Sequence, residues 1–154
     1  MKTVADPTQF PLEPPLDFLR HLWEVNHALE RRSLKMERTL GVTGQQRLFL
    51  RCIGKYPGIS ASQLSAVLHL DRTTVSVALR RLQHKGLITR SADAADSRRV
   101  SLGLSARGKT LARADDSTVE YAVERLIRRH GPREIARVKG VLRDLAETLL
   151  DGLT

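Results

Sequence analysis

The segment from residue 60 to 104 limits the possible folds of this chain more than any other, because two short helical patterns lead directly into a hairpin pattern. Ser60 and Gln63 have the spacing of a capping box, which predicts the start of the first short helix. Asp71 is a preferred N-cap residue for the second, and Gly86 suits the left-handed position just after a helix. Only a two-residue connection separates the helices, so we predict a helix-turn-helix.

The second of these helices is predicted to have one apolar and one polar face. Val75, Leu79 and Leu82 recur at the helical period and form the apolar face. Arginine pairs with guanine, and Ser or Thr hydroxyls bond to base edges or phosphates. The helix taken alone leaves open the alternative of a solvated surface with charged residues. The residues on the polar face are Arg72, Thr73, Thr74, Ser76, Arg80 and Arg81.

A basic hairpin follows the second helix and favours the DNA interpretation. Residues 87–90 form a short strand signal, and in residues 100–104 apolar and small or polar residues alternate, as in a half-buried strand. The intervening loop is small and polar and ends in Arg98 and Arg99. A basic loop beside a recognition helix can enter the adjacent minor groove. The predicted fold is therefore mainly α with a small β-hairpin wing, a winged helix-turn-helix.

Helices are predicted on both sides of this segment. A first helix carries an apolar stripe from Leu16 and ends near residues 40–41, and Thr43 caps a second helix that ends at Pro57. Gln46, at the beginning of that second helix, where backbone amides favour a phosphate, and Ser60 complete the predicted DNA contacts. Ile59 could add one short strand to the sheet of the wing.

Two further helices are predicted after the wing. Ser105 begins a long helix through about His130, and Pro132 takes the first position of the final helix. Apolar residues in that final helix repeat at spacings of three and four, which resembles a short coiled-coil seam, although burial within one subunit gives the same pattern. The seam residues are Ile135, Val138, Leu142, Leu145 and Leu149.

The run from residue 71 to 108 resembles the MarR family of bacterial transcriptional regulators. The similarity is carried by LDRTTVSVALRRLQHKGLI, by the wing motif Asp96-Ser97-Arg98-Arg99, and by LSARGK at residues 104–109. The resemblance implies that Asp96 orients Arg98, which enters the minor groove. It also implies dimerisation through the N- and C-terminal helices, and repression that a small effector relieves, typically an aromatic acid.

The resemblance also suggests a domain organisation. Residues 1–15, rich in proline, are expected to form an extended arm. Residues 16–40 and 105–154 would form the helical dimerisation region, with N- and C-terminal dimerisation helices, and residues 41–104 the DNA-binding domain. A homodimer of this kind presents two recognition helices about one DNA turn apart on a pseudo-palindrome.

The resemblance further implies an effector pocket between the dimerisation helices and the DNA-binding domain. Candidates are Arg20, Trp23 and His27 on the first helix, with Arg47 from the second. A cationic side chain could hold a carboxylate and the indole could stack on an aromatic ring. The alternative is that Trp23 lies in the core and that Arg20 and His27 face solvent. The basic composition also suits a CoA thioester, but it suits DNA equally.

Composition agrees with a DNA-binding protein. The chain has 154 residues, enough for a modest core, and a formal net charge of +9, which favours a polyanionic partner. Its apolar runs are shorter than a membrane span requires, and its first residues lack the apolar stretch of a secretory signal. The single cysteine excludes an internal disulfide and fits a reducing compartment, so we expect a cytoplasmic protein without a membrane partner.

Other functional classes find less support. The common nucleophile-elbow, phosphate-loop and zinc-protease motifs are absent, so we predict that the protein is not an enzyme. The five histidines form no close cluster, so neither a metal nor a cofactor is predicted. Two alternatives remain within DNA binding. One is an architectural protein with weak sequence preference, and the other is a redox-sensing repressor that uses Cys52, although an apolar setting would make this thiol inert.

Overall fold

The computed structural model describes residues 10–92, 100–113 and 115–153. These residues fall into two compact units, one up to residue 113 and one from residue 115. The first unit contains α1 (Pro14–Leu40), α2 (Gly44–Lys55), α3 (Ala61–Leu68), α4 (Arg72–His84), β1 (Ile88–Ala92), β2 (Val100–Leu104) and α5 (Ala106–Leu111). The second contains α6 (Val119–His130) and α7 (Pro132–Leu150). The predicted fold class, mainly helical with a two-stranded antiparallel wing, is confirmed.

Local signals in the sequence place most helix boundaries. Thr43 and Ser60 each accept a hydrogen bond from the amide three residues on, and each belongs to a complete capping box. Gly41 and Gly86 take the positive φ values, 75° and 68°, that end α1 and follow α4. The structure differs at the first helix, which starts at Pro14 rather than after residue 15. Proline is tolerated there because the first-turn amides have no partner within the helix.

The predicted long helix from Ser105 to His130 is wrong, because the chain forms α5 and α6 separately. Ser105 caps α5 and Thr118 caps α6. Between them, the Asp115 carboxylate accepts hydrogen bonds from the amide and hydroxyl of Ser117. Side chains that bond to the nearby backbone compete with helical hydrogen bonds, and this accounts for the break.

The core of the first unit lies between α2, α3, α4 and the wing. Phe49, Leu64 and Leu82 are completely buried there, together with most of the apolar face of α4. In the wing, β1 pairs with β2 so that Ile88 faces Leu104. Ile59 does not form a strand of its own. Its carbonyl instead accepts the amide of Leu102 at 3.0 Å, which ties the turn before α3 to the free edge of β2.

A close approach of two backbone segments fixes the start of α5. A Cβ atom added at Gly108 would lie 2.0 Å from the Leu87 carbonyl oxygen, so only glycine fits there. The Ser105 hydroxyl donates to the Gly86 carbonyl at 2.8 Å and accepts the Gly108 amide at 3.0 Å. The LSARGK motif therefore joins α5 to the residues that follow α4.

Candidate nucleic-acid interface

Helix α4 is held in place by its cap and by its buried face. The carboxylate of Asp71 accepts the backbone amide of Thr74 at 2.8 Å, as the sequence predicts for an N-cap. Val75, Ala78, Leu79 and Leu82 are buried in the core of the first unit. This packing leaves the opposite side of α4 in solvent.

The predicted contacts on α4 share that outward side. Arg72, Thr73, Ser76, Arg80 and Arg81 are exposed, and Thr74 is partly buried. An exposed helix face rich in hydroxyl and guanidinium groups has the chemistry of a recognition helix. The contact of these side chains with bases stays a prediction.

One flank of α4 borders an open cleft of about 990 Å³. The other walls are the second half of α1 and the beginning of α2. Three cationic side chains line it, Arg80, Arg81 and Lys85, with Glu37 as the acidic exception. The remaining lining residues are Ser33, Thr43, Gln45, Gln46, Thr73, Thr74, Val77, Ala78 and His84.

Lys85, which the sequence analysis missed, connects three helices at the end of α4. Its Nζ donates to the Gly41 carbonyl and to Gln46 Oε1, both at 2.9 Å. Gln46 Oε1 also accepts the Thr43 amide at 3.3 Å. Gln46 is therefore a buried residue whose Oε1 serves the fold, and its contact with a phosphate stays a prediction. The partners lie 44 and 39 residues away, too far for any local sequence signal.

Ser60 is likewise held by hydrogen bonds within the fold. Its side chain is buried, accepts the Gln63 amide at 3.2 Å and lies 3.1 Å from the Ser62 hydroxyl. These bonds occupy the hydroxyl in capping α3. The predicted capping box is present, and the additional role of Ser60 as a DNA contact stays a prediction.

Arg47, a predicted effector contact, has a structural role in the single chain. Only 1% of it is exposed, and its guanidinium donates to the carbonyls of Leu111 and Arg113. Arg51, one turn further along α2, donates to the Ala112 carbonyl at 2.9 Å. Two arginines thus bind three consecutive carbonyls at the end of α5, where a helix terminus favours positive charge.

The other three predicted effector residues lie on the surface of α1. Arg20 forms ion pairs with Asp17 at 2.8 Å and Glu24 at 2.6 Å, and Asp17 holds the pKa of Arg20 above its ordinary value mainly by accepting its hydrogen bond. Trp23 is 67% exposed, and His27 is exposed too. Their participation in a pocket stays a prediction, but the suggestion that Trp23 lies in the core of a single chain is wrong.

The wing contacts Asp96, Arg98 and Arg99 lie outside the described residues. Arg90, which was not singled out, is exposed on β1 where the hairpin begins. It adds a cation to the base of the wing, on the strand that directly follows α4.

Cys52 has poor chemistry for a redox sensor. It is half-buried against the core, and burial raises the pKa of its thiol, with a smaller opposing effect from Lys55. Because the thiolate is the reactive form, this environment lowers the reactivity of the side chain. Across the described residues, no group of three or more His, Cys, Asp or Glu side chains is placed to hold a metal ion. In the same part of the chain, no helix combines the length and apolar character of a membrane span.

Comparison with known proteins identifies the class. Residues 42–100 match the sequence model of the MarR family. The HTH-type transcriptional repressor Rv2887 of Mycobacterium tuberculosis is 27% identical over 117 residues, which are 76% of this chain and 83% of that protein.

Two solved DNA complexes share the fold. The S. aureus MepR–DNA complex has a TM-score of 0.67 and 25% identity, over 87% of this chain and 97% of that one. Streptococcus pneumoniae FabT in complex with DNA has a TM-score of 0.63 and 27% identity, over 88% and 97%.

The fold and the exposed face of α4 define a winged helix-turn-helix regulator of transcription. Over residues 42–100 the chain matches the MarR family, whose members are transcriptional regulators and not enzymes.

Proposed function

We propose that the protein is a transcriptional repressor that binds a pseudo-palindromic operator as a homodimer and leaves it when a small effector binds. In this proposal α4 lies in the major groove, and Asp96, Arg98 and Arg99 bring the wing to the adjacent minor groove. Residues 41–104 serve as the DNA-binding domain. The main observation in support of the proposal is the exposed polar face of α4. The opposite, apolar face of the helix packs in the core and holds α4 in this orientation.

Several known proteins support the DNA-binding part. The similar proteins MepR and FabT have been solved with DNA, and Rv2887 is named as a repressor. The cations Arg80, Arg81 and Lys85 around the cleft also suit a phosphate backbone, since phosphate contacts position a protein on DNA without selecting sequence.

Exposed apolar residues support the homodimer. On α7, Val138, Leu142 and Leu149 are 48%, 44% and 62% exposed in the single chain, and all three belong to the predicted seam. On α1, Leu16, Phe18 and Trp23 are also exposed. Large apolar side chains exposed along a helix are typical of an interface, so we assign residues 16–40 and 105–154 to dimerisation.

The effector is proposed to be an aromatic acid or its CoA thioester. Arg20, Trp23 and His27 lie on the same helix as the exposed apolar residues of α1, so a second protomer could complete a pocket around them. An effector that favours a dimer unable to match the operator spacing releases DNA by no more than its differential affinity for the two states.

DNA binding is tested by fluorescence anisotropy at one fixed salt concentration, with DNA from upstream of the coding sequence and shuffled DNA of the same composition. We expect Arg98→Ala to lose about 1–3 kcal/mol of operator binding and much less binding to shuffled DNA. Arg128→Ala is the matched control, because it removes the same charge from an exposed arginine on α6. Equal affinity of the unchanged protein for both DNAs would indicate an architectural role instead.

Effector release is tested in the same assay by titrating aromatic acids and their CoA thioesters. Release by one compound and not by close analogues supports a ligand-responsive repressor. DNA and effector must weaken each other by the same factor, so effector binding measured calorimetrically with and without operator provides a check. A compound that releases DNA without this reciprocity contradicts the proposed mechanism.

A further inference from the structure

The hydroxyl of Thr74 is held by the residue that caps the recognition helix. Thr74 Oγ1 lies 2.5 Å from Asp71 Oδ2, and the Thr74 backbone amide lies 2.8 Å from Asp71 Oδ1. Both oxygens of the carboxylate therefore bond to the same residue. Thr74 is only partly buried and lines the cleft beside Thr73 and Arg81.

The direction of the hydrogen bond between the two side chains follows from their chemistry. The bond from the Thr74 hydroxyl, followed by the bond from its amide, holds the pKa of Asp71 below its ordinary value. Asp71 is consequently ionised at neutral pH, and an ionised carboxylate can only accept. A hydroxyl has one proton and two lone pairs, so Thr74 uses its only proton on Asp71 and keeps a lone pair for another partner.

We propose that Asp71 fixes Thr74 as a hydrogen-bond acceptor, so that the operator must present an amino group, adenine N6 or cytosine N4, to Thr74. This inference rests on the proposed function, which puts α4 in the major groove. Guanine offers N7 and O6 there and thymine offers O4, all of them acceptors. Phosphate oxygens are acceptors as well, so the Thr74 hydroxyl contacts a base and not the backbone.

Two neighbouring hydroxyls provide an internal comparison. Thr73 and Ser76 are exposed on the same helix, and neither hydroxyl has a hydrogen-bond partner among the described residues. Each can rotate to donate or accept, so each tolerates either kind of base edge. Selection by hydrogen-bond direction is therefore expected of Thr74 alone among these three side chains.

The decisive variant is Asp71→Asn. Asparagine is as good an N-cap as aspartate and has the same shape, so α4 should keep its start. The amide oxygen can still accept the Thr74 backbone amide, while the amide nitrogen donates toward Thr74 Oγ1. The hydroxyl proton of Thr74 is then available for the DNA.

Binding is measured by anisotropy against an operator panel in which every base pair of one half-site is replaced in turn. For the unchanged protein we expect one position where adenine or cytosine on the contacted strand is favoured about tenfold over guanine or thymine. Asp71→Asn should abolish that preference or shift it toward guanine or thymine, with other positions unaffected. The variant lacks one negative charge, which raises its affinity for all DNA, so the ratio between operators is the readout.

Thr74→Val and Thr73→Val separate the proposal from a general loss of binding. Thr74→Val should remove the preference at that one position, and Thr73→Val should leave it intact. Thr74→Ser, which keeps the hydroxyl, should retain it. The inference is overturned if Thr74→Val changes no base preference, or if folded Asp71→Asn keeps the original one. If the unchanged protein shows no preference at any position, the proposed function fails instead.

Discussion

The winged helix-turn-helix module, from α2 to β2, and the C-terminal helices α6 and α7 are built in different ways. Between α2 and the wing, helix faces meet in a closed core in which Phe49, Leu64 and Leu82 have no exposed surface. In α6 and α7, no described residue is buried, although both helices carry many large apolar side chains. The module buries its apolar side chains within one chain, whereas α6 and α7 leave theirs exposed to solvent.

This difference separates the residues that stabilise the fold from those that are available for association with another chain. Burial of apolar surface stabilises the module within one chain, about 25 cal/mol per Å² removed from water. The apolar stripes of the C-terminal helices can contribute in this way only when another surface covers them. Mutations in the module should therefore change folding, and mutations in the stripes should change association.

The largest expected effect comes from the same substitution in both regions. Gly108→Ala should lower the free energy of unfolding by about 3 kcal/mol, because the new Cβ meets the Leu87 carbonyl oxygen at 2.0 Å. Gly140→Ala in α7 should raise it by about 0.5–1 kcal/mol, since no atom lies within 4 Å of the added Cβ and alanine favours a helix. Urea denaturation at one protein concentration measures both. Similar small effects at the two positions would contradict the contrast in packing.

Association is probed by a charge in the α7 stripe. Leu142→Asp should raise the dimer dissociation constant about 100-fold, or about 2.7 kcal/mol, because it puts carboxylates into an apolar interface. Ala136→Asp introduces the same group at another exposed position of α7 and is the control. Sedimentation equilibrium distinguishes them. A Leu142→Asp protein that remains dimeric at the concentrations where the unchanged protein does would place the interface elsewhere.

A buried arginine tests whether polar contacts also stabilise the module. Arg47→Met should cost about 2 kcal/mol of unfolding free energy, because the Leu111 and Arg113 carbonyls lose a charged donor. Arg51→Met, at an exposed position with one such bond, should cost less than about 1 kcal/mol. The ratio of the two values in urea denaturation is the test. Equal losses of unfolding free energy would contradict this expectation, because they would mean that water replaces the hydrogen bonds of the buried arginine as easily as those of the exposed one.

The smallest expected effect is a pH dependence at the start of α4. The folded protein holds the pKa of Asp71 below the value of this group in the unfolded chain, which is about 4. The ionised carboxylate therefore stabilises the fold at pH values above about 4. That contribution is lost as the pH falls through the folded pKa. Below about pH 4, the melting temperature of the unchanged protein should therefore fall relative to that of Asp71→Asn. A constant difference between pH 3 and 7 would contradict the assignment.

Particular residues show why sequence analysis succeeded at some positions and failed at others. Ser60 with Gln63, and Asp71 with the amide three residues on, are local pairs, and their spacing alone predicts the caps. Lys85 and Arg47 bind carbonyls that are distant in sequence, and an arginine in an amphipathic helix gives no local sign that it will be buried. The break between α5 and α6, where residues 115–118 form side-chain hydrogen bonds with one another and with the backbone, was not predicted.

Local signals were enough to predict the starts of α2, α3, α4, α5 and α7, the hairpin, the polar face of α4 and hence the class of protein, because these depend on neighbours within a few residues. The burial of Gln46, Ser60 and Arg47, and the bonds by which Lys85 joins α4 to α1 and α2, are visible only in the tertiary structure. It also decided which apolar stripes are buried in the module and which stay exposed on α7. The physical reason is that burial and long-range hydrogen bonds arise only when distant segments pack together.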